Sequence, residues 1–244
     1  MEILGIDIGG SAVKGALVET NTGKLLTERH RIKTPQPSKP KEVADIVDEI
    51  IRYFKWTGEI GCGFPAVIQN GIAKTASNID KSWIGVRIPD LFKKSSTSQI
   101  YVLNDADAAG LAEMKFGAGK QNNGIVVIIT IGTGLGSALF SQGRLFPNTE
   151  FGQFILNGYI AEKYTADSVR KELDLSWKKW GLRFNEYLNH LEILLNPDLL
   201  ILGGGGGKKY EKFQEFLNVG AKIVPAGLGN EAGIIGAAIS RQQI

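Results

Sequence analysis

The stretch that decides the reading is Ile100–Glu113, IYVLNDADAAGLAE. Ile100 to Leu103 is a short apolar run rich in β-branched residues, the pattern of a buried strand. From Asp105 the composition turns to Ala, Leu, Met and Glu at helical spacing, running to about Gly117. Asn104 and Asp105 therefore sit where a strand hands over to a helix, and in an open α/β sheet that edge is where ligands bind. Two readings of the pair stand. Either one of them caps the helix, since Asn and Asp accept hydrogen bonds from the first helical N–H groups, or they carry chemistry at the sheet edge. A pair of glycine-rich loops elsewhere in the chain bears on the choice.

The first loop follows a strand at Ile3–Ile8. Gly9-Gly10-Ser11 leads into a second apolar run, Val13–Val18. Glycines at such a turn let backbone N–H groups approach an anion closely, and Ser11 and Lys14 add a hydroxyl donor and a cation. Asp7 is a carboxylate in an otherwise apolar strand; beside an anion loop it makes sense if a divalent cation lies between. A plain hairpin with Gly-Gly at its turn is the other reading. The second loop, Gly132-Thr133-Gly134, lies between the apolar runs Ile125–Ile131 and Leu135–Phe140. IDIGGSAVKGALV and ITIGTGLGSALF share one plan, and Ile6 and Ile129 stand 123 positions apart, about half the chain. A half-length repeat suggests two similar α/β domains, each offering a backbone hairpin to an anion, which together can clamp the phosphates of a nucleotide. No GxxxxGK[ST] loop occurs.

The rest of the chain fits an α/β plan. Leu25–Arg31 reads as a third strand, Pro35, Pro37 and Pro40 mark a loop, and Lys41–Tyr53 carries apolar residues at helical spacing. Ile60–Phe64 is another strand, closed by Phe64-Pro65-Ala66. In Asn78–Trp83, NIDKSW, one tryptophan is flanked by polar residues; this is either a surface loop or an aromatic wall for a sugar. Glu150-Phe151-Gly152-Gln153 follows a Pro-Asn turn, and helices are expected at Ala166–Leu173 and Ser176–Leu195, with His190 packing in the second. Leu199–Leu202 is a buried strand opening into five glycines, Gly203–Gly207, then Lys208-Lys209. Gly204, Gly205 and Lys208 there are candidates for a nucleotide site, against a flexible surface loop. Asn230–Ser240 is a helix of small residues, able to pack closely between domains. The expected domains are 1–103 with 230–244, and 104–229.

At 244 residues, 43% hydrophobic and 22% charged, the chain has the composition of an ordinary globular protein. A net charge of +3 asks for neither nucleic acid nor a membrane surface. One cysteine, Cys62, excludes an internal disulfide framework, and two distant histidines argue against a structural zinc site. With no long apolar run and no signal-like leader, a cytoplasmic protein is expected.

Several strings together resemble a known family. DIGGSAVKG (from Asp7), GTGLGSALF (from Gly132) and NPDLLILGGG (from Asn196) are similar to the two phosphate motifs and the adenosine-side motif of the actin, Hsp70 and sugar-kinase superfold (ribonuclease H-like). Within it the chain resembles the ROK family of sugar kinases, in its polyphosphate-dependent branch. GFPAVI, NIDKSW, NDADAAG and DLSWKKW also fall where that branch has similar strings. The resemblance implies a sugar kinase that takes its phosphoryl group from polyphosphate and/or ATP and passes it to the 6-hydroxyl of glucose or mannose. It implies Asp105 as the base for that hydroxyl, with Asn104, Glu150, Gln153, Asn78 and the backbone near Phe64-Pro65 holding the sugar. Asp7 would reach magnesium through water, domain closure would exclude water, and the assembly would be a homodimer. One departure stands out: the family reads Glu-x-Gly-His where this chain has Gln153, which cannot titrate near neutral pH. The basic residues Arg170, Lys171, Lys178, Lys179, Arg183, Lys208, Lys209 and Lys212 are candidates to line a polyphosphate channel. The pairs Lys171/Lys178 and Lys179/Arg183 are each expected to share a helix face. An ATP-only kinase for another hexose and a non-catalytic sugar-binding ROK protein are the alternatives. The second, if a repressor, would need a DNA-binding helix pair for which there is no room before Ile3.

Overall fold

The computed structural model describes residues 1–93 and 98–242. The first half of the chain forms β1 (Glu2–Ile8), β2 (Ala12–Glu19), β3 (Lys24–Leu25), β4 (His30–Lys33), α1 (Pro40–Tyr53), β5 (Ile60–Phe64), β6 (Ile68–Gln69), β7 (Ile72–Ala73), α2 (Ile88–Phe92), β8 (Ile100–Asn104) and α3 (Asp105–Phe116). Then come β9 (Ile125–Ile131), β10 (Leu135–Ser141), β11 (Arg144–Phe146), β12 (Ile155–Leu156), β13 (Tyr159–Ile160), α4 (Ala161–Thr165), α5 (Asp167–Glu172) and α6 (Trp177–Leu195). The chain closes with β14 (Leu199–Gly203), α7 (Gly204–Gly207), β15 (Lys222–Pro225) and α8 (Ala232–Ile239). Two compact units result: Met1–Ala112 with the residues from Glu231 onward, and Glu113–Asn230.

Each unit is built on one mixed sheet. In the first, β1 pairs antiparallel with β2 and parallel with β5, and β5 pairs parallel with β8. In the second, β9 pairs antiparallel with β10 and parallel with β14, and β14 pairs parallel with β15. The orders β3-β2-β1-β5-β8 and β11-β10-β9-β14-β15 match strand for strand. The half-length similarity in the sequence is thus a duplicated architecture, with a glycine hairpin closing at Ile8↔Val13 in one copy and at Ile131↔Leu135 in the other.

The hydrophobic patterns explain how each sheet is covered. Val43, Val47, Ile50 and Ile51 recur at helical spacing on α1, and all are buried in one cluster with Leu4, Ile6 and Ile8 of β1. The alternate β1 residues face α8, whose backbone comes so close that a Cβ on Gly61 of the neighbouring strand would lie 1.8 Å from Ala237 O. In the second unit Trp180, Phe184, Leu188 and Leu191 of α6 pack with Val127, Ile129, Leu200 and Leu202. No described helix is long and apolar enough to cross a membrane.

Four sequence expectations need correction. The strand expected at Leu25–Arg31 is broken into β3 and β4, because the Thr27 hydroxyl, rather than a main-chain oxygen, accepts from Leu17 N (3.1 Å). The five glycines are no loop: Gly203 ends β14 and the next four form the single turn α7. Close packing outweighs their low helix propensity, since a Cβ on Gly204 would sit 2.5 Å from Ile131 O. Lys171 and Lys178 lie on different helices, parted by a chain reversal at Asp174 (φ 46°), so they share no helix face. The small-residue helix α8 packs on β1 and β5 of its own unit.

Candidate active site

At the carboxyl edge of the first sheet the segments after β1, β5 and β8 lie side by side, because those strands are adjacent and parallel. After β8, Asn104 is the helix cap: its Oδ1 accepts from Ala106 N (2.8 Å) and Asp107 N (3.1 Å). Its Nδ2 donates to Ala66 O (3.2 Å), which fastens it to the turn after β5, where Ala66 N donates to Phe64 O (2.8 Å). Asp105 is the first residue of α3; its Oδ1 accepts from Ala106 N (2.9 Å), and it is half-buried at the edge. The cap therefore belongs to the buried amide, and the neighbouring carboxylate is held at the strand-to-helix junction.

The first glycine hairpin, after β1, is held by a segment the sequence showed only as a proline-rich loop. Thr34 Oγ1 donates to Gly9 O (2.6 Å), Gln36 Nε2 to Gly10 O (3.1 Å) and Thr34 N to Ser11 O (3.2 Å). All three loop carbonyls are thereby satisfied, which fixes the peptide planes and removes the oxygens that would repel an anion. At the base of the hairpin Lys14 Nζ donates to Asp7 Oδ2 (3.0 Å), so the carboxylate in the apolar strand is neutralised across the β1–β2 pair. Asn78 is exposed beside Gly10, whose Cβ would lie 4.0 Å from Asn78 O.

The second hairpin, after β9, has the same treatment. Ser168, on the first turn of α5, donates from N to Gly132 O (3.2 Å) and from Oγ to Thr133 O (2.6 Å), while Gly132 N donates to Gly134 O (3.0 Å). One strand over, Gly203 pairs with Thr130, so Gly204 and Gly205 follow at the same edge. Lys208, just beyond, donates from Nζ to Asn230 Oδ1 (2.8 Å). Thr34, Gln36 and Ser168 are residues that sequence reasoning missed.

Glu150 and Gln153 lie in a turn clamped onto β10. Gln153 N donates to Glu150 O (2.9 Å), and Phe151 N to the hydroxyl of buried Ser137 (2.9 Å). Burial, and then the charge of Glu162, push the Glu150 carboxyl above its usual range. Glu162, also missed, is a buried carboxylate on α4 whose N donates to Gly152 O (2.9 Å) and whose Oε2 accepts from Leu135 N (3.4 Å). The one side chain weighed as a sugar wall turns away. Trp83 is fully buried, its indole N–H donating to Ser38 O (2.8 Å), and Phe64 packs edge-on against it, so the aromatic wall is core and Phe64 offers only backbone. The polar residues around Trp83 misled because Asp80 caps a tight turn, accepting from Ser82 N, and that turn points the indole inward. His190 packs on Phe154.

Among the described residues no cluster of three or more His, Cys, Asp or Glu is arranged to hold a metal ion. Magnesium asks for less, being held commonly by one or two carboxylates, water and substrate phosphates. Asp7 is a carboxylate of the kind such a site uses, half-buried at the end of β1 before the first hairpin and lying close against Gly233, where a Cβ would meet its Cγ at 2.8 Å.

Two matching mixed sheets, each with a hairpin whose carbonyls are tied back, define the sugar-kinase type of the actin and Hsp70 superfold. The chain belongs to the ROK family, which it matches over residues 3–152. It is 44% identical over 237 residues to a polyphosphate glucokinase of Mycobacterium tuberculosis, covering 97% of this chain and 89% of that protein. It superposes on an inorganic polyphosphate/ATP-glucomannokinase from Arthrobacter sp. strain KM with a TM-score of 0.95, at 41% identity over 99% of both chains. A ROK family glucokinase from Streptomyces griseus, solved with glucose and AMPPNP, shares the fold at a TM-score of 0.84 and 22% identity, covering 99% of this chain and all of that one.

Proposed function

We propose that this protein is a sugar kinase that transfers a phosphoryl group from polyphosphate and/or ATP to the 6-hydroxyl of glucose or mannose. The observation that carries the reading is the near-full-length similarity, at 41–44% identity, to enzymes named for that reaction. The geometry agrees with it. A sugar hydroxyl is a weak nucleophile, and the Asp105 carboxylate accepts its proton as the new bond forms. Asn104, Asn78, Glu150, Gln153 and the backbone at Phe64-Pro65 hold the sugar; Glu162 joins them through its position beside Glu150.

Phosphoryl transfer leaves a protein mainly to position groups and compensate charge. The amides at Gly9, Gly10 and Ser11 and at Gly132, Thr133 and Gly134 do this for the donor, with Gly204, Gly205 and Lys208 beside the second hairpin. Lys14 holds the Asp7 carboxylate in place through its 3.0 Å bond to Oδ2. Magnesium, when bound, neutralises charge on the donor phosphates, and Asp7 is the residue that would hold it, through water.

A homodimer and a cytoplasmic location complete the proposal. For the first, Phe146, Ile155, Tyr159, Ile193 and Leu194 in the second unit are each more than half exposed, apolar area available to a partner subunit. For the second, the sole cysteine is a free, buried thiol. The test is a coupled assay of glucose, mannose and N-acetylated hexoses with ATP and polyphosphate in parallel. Phosphorylation of glucose or mannose is expected; no hexose phosphorylated by either donor would overturn the reading.

A further inference from the structure

The basic residues of the second unit do not form one stripe. Arg183 lies over the Tyr164 ring, 4.6 Å from its centroid, while Lys178 and Lys179 are exposed on the first turn of α6. Two other cations meet at Trp177, and a third lies beside one of them. The Arg170 guanidinium sits 4.1 Å from the indole centroid and Lys212 Nζ 5.8 Å from it. Lys171, next to Arg170, shares the Asp167 carboxylate with it, at 2.6 Å and 2.9 Å. Burial raises the Asp167 carboxyl, but the bonds to Lys171 and Arg170 outweigh it and hold the group below its ordinary range. One ionised carboxylate thus answers Lys171 and Arg170 on α5, while Lys212 comes to the same indole from the separate turn Tyr210–Lys212. The cluster keeps an excess of positive charge.

That excess is fastened to the second hairpin. Ser168, which bonds both Gly132 O and Thr133 O, lies two residues before Arg170 on the same helix. One short helix, α5, thus carries both the tie to the loop and the guanidinium that lies on Trp177 beside Lys212.

We propose that the Trp177 cluster is a second binding site, which takes the distal phosphates of a polyphosphate chain whose terminal phosphates lie at Gly132–Gly134. It rests on the kinase reading above and adds where the long donor is gripped. A guanidinium stacked on an indole keeps its edge N–H groups for oxyanions, and cations arrayed along a line suit a repeating polyanion. A nucleotide base fits the place less well, because Trp177 already carries Arg170 and packs parallel to Phe213 at 6.0 Å. ATP, with only three phosphates, has nothing to extend beyond the hairpin.

The test is the steady-state KM for ATP, tripolyphosphate and long-chain polyphosphate at saturating glucose. Two double variants are compared: Lys171→Gln with Lys212→Gln, and Lys178→Gln with Lys179→Gln, which removes the same charge from side chains that lie neither on the indole nor on Asp167. All four lysines are exposed, and Asp167 keeps its bond to Arg170 when Lys171 is replaced; Tm is measured for both variants. The first variant should raise the long-chain KM about tenfold while ATP and tripolyphosphate stay within about twofold; the second should raise it by less than about threefold. Equal rises for all three donors, or equal rises in the two variants, would overturn the site and leave the kinase reading intact. An unmodified protein that turns over ATP but no polyphosphate would instead remove the donor, and the site with it.

Discussion

Asn104 carries two loads that substitution can separate. Its side chain caps α3 through two backbone N–H groups and ties the helix start to the turn after β5 through Ala66 O. Replacing an Asn cap by Ala costs about 1 kcal/mol, and losing a buried amide-to-carbonyl bond costs about another 1 kcal/mol. Asn104→Ala should therefore lose about 2 kcal/mol, a fall in Tm of roughly 4–8 °C for a chain of this size. Ser caps about as well as Asn but cannot reach Ala66 O, so Asn104→Ser should lose only about 1 kcal/mol. Denaturation midpoints give the difference directly. Sugar KM should rise by a similar factor in both variants, because both lack the amide proposed to hold the sugar. If Ser proves as damaging as Ala, the cap is not what Asn104 contributes; if both variants are as stable as the parent, the described bonds are not formed.

Three further outcomes follow from the site. Thr34→Val removes the hydroxyl bonded to Gly9 O and should raise the KM of both donors several-fold, for about 1 kcal/mol of lost ordering, with sugar KM unchanged and Thr34→Ser restoring it; unchanged donor KM would mean the hairpin needs no tether. Glu150 has a folded-state pKa raised by burial and by Glu162, so its protonated form is favoured on folding and its ionised form costs stability as pH climbs through that raised value. Glu150→Gln should then have a higher Tm than the parent at pH 7 and lose that advantage below the ordinary carboxylate range, with weaker sugar binding; a lower Tm at pH 7 would contradict the desolvation argument. Gln153→His, restoring the family residue, should change sugar affinity or preference by one hydrogen bond, roughly 0.5–1.5 kcal/mol; an unchanged KM for every sugar would mean that this side chain points away from the substrate.

Much of the architecture was legible because it rests on local periodicity. The apolar run of β9, the helical spacing of α1 and α6 and the half-length likeness of the two hairpins each specify an element without help from distant residues. The failures have a common cause. Thr34, Gln36 and Ser168 act through bonds to loop carbonyls that tertiary folding brings to them, and nothing in TPQP or ADSV announces an acceptor. Trp83 looked exposed because its sequence neighbours are polar, whereas a tight turn sends the indole into the core. The five glycines looked flexible because glycine disfavours helices, yet the approach of Ile131 leaves Gly204 no space for a side chain. Asn104 and Asp105 stand out in the sequence at the strand-to-helix junction, but only the hydrogen bonds tell the cap from its neighbour. Glu162 lay in a stretch with no marked pattern and is recognised only by its burial beside Glu150.

The central claim is that Asp105 takes the proton from the sugar hydroxyl, and the most direct measurement is the kcat of Asp105→Asn and Asp105→Ala with saturating sugar and either donor. Asparagine retains an oxygen for Ala106 N but cannot act as a base, so helix capping and catalysis are tested apart. The account predicts a kcat lower by roughly a hundredfold to ten-thousandfold in both variants, equivalent to about 3–5 kcal/mol of barrier, with sugar KM within about tenfold of the parent. A kcat within tenfold of the parent in either variant would leave Asp105 a residue of the helix start and contradict the mechanism.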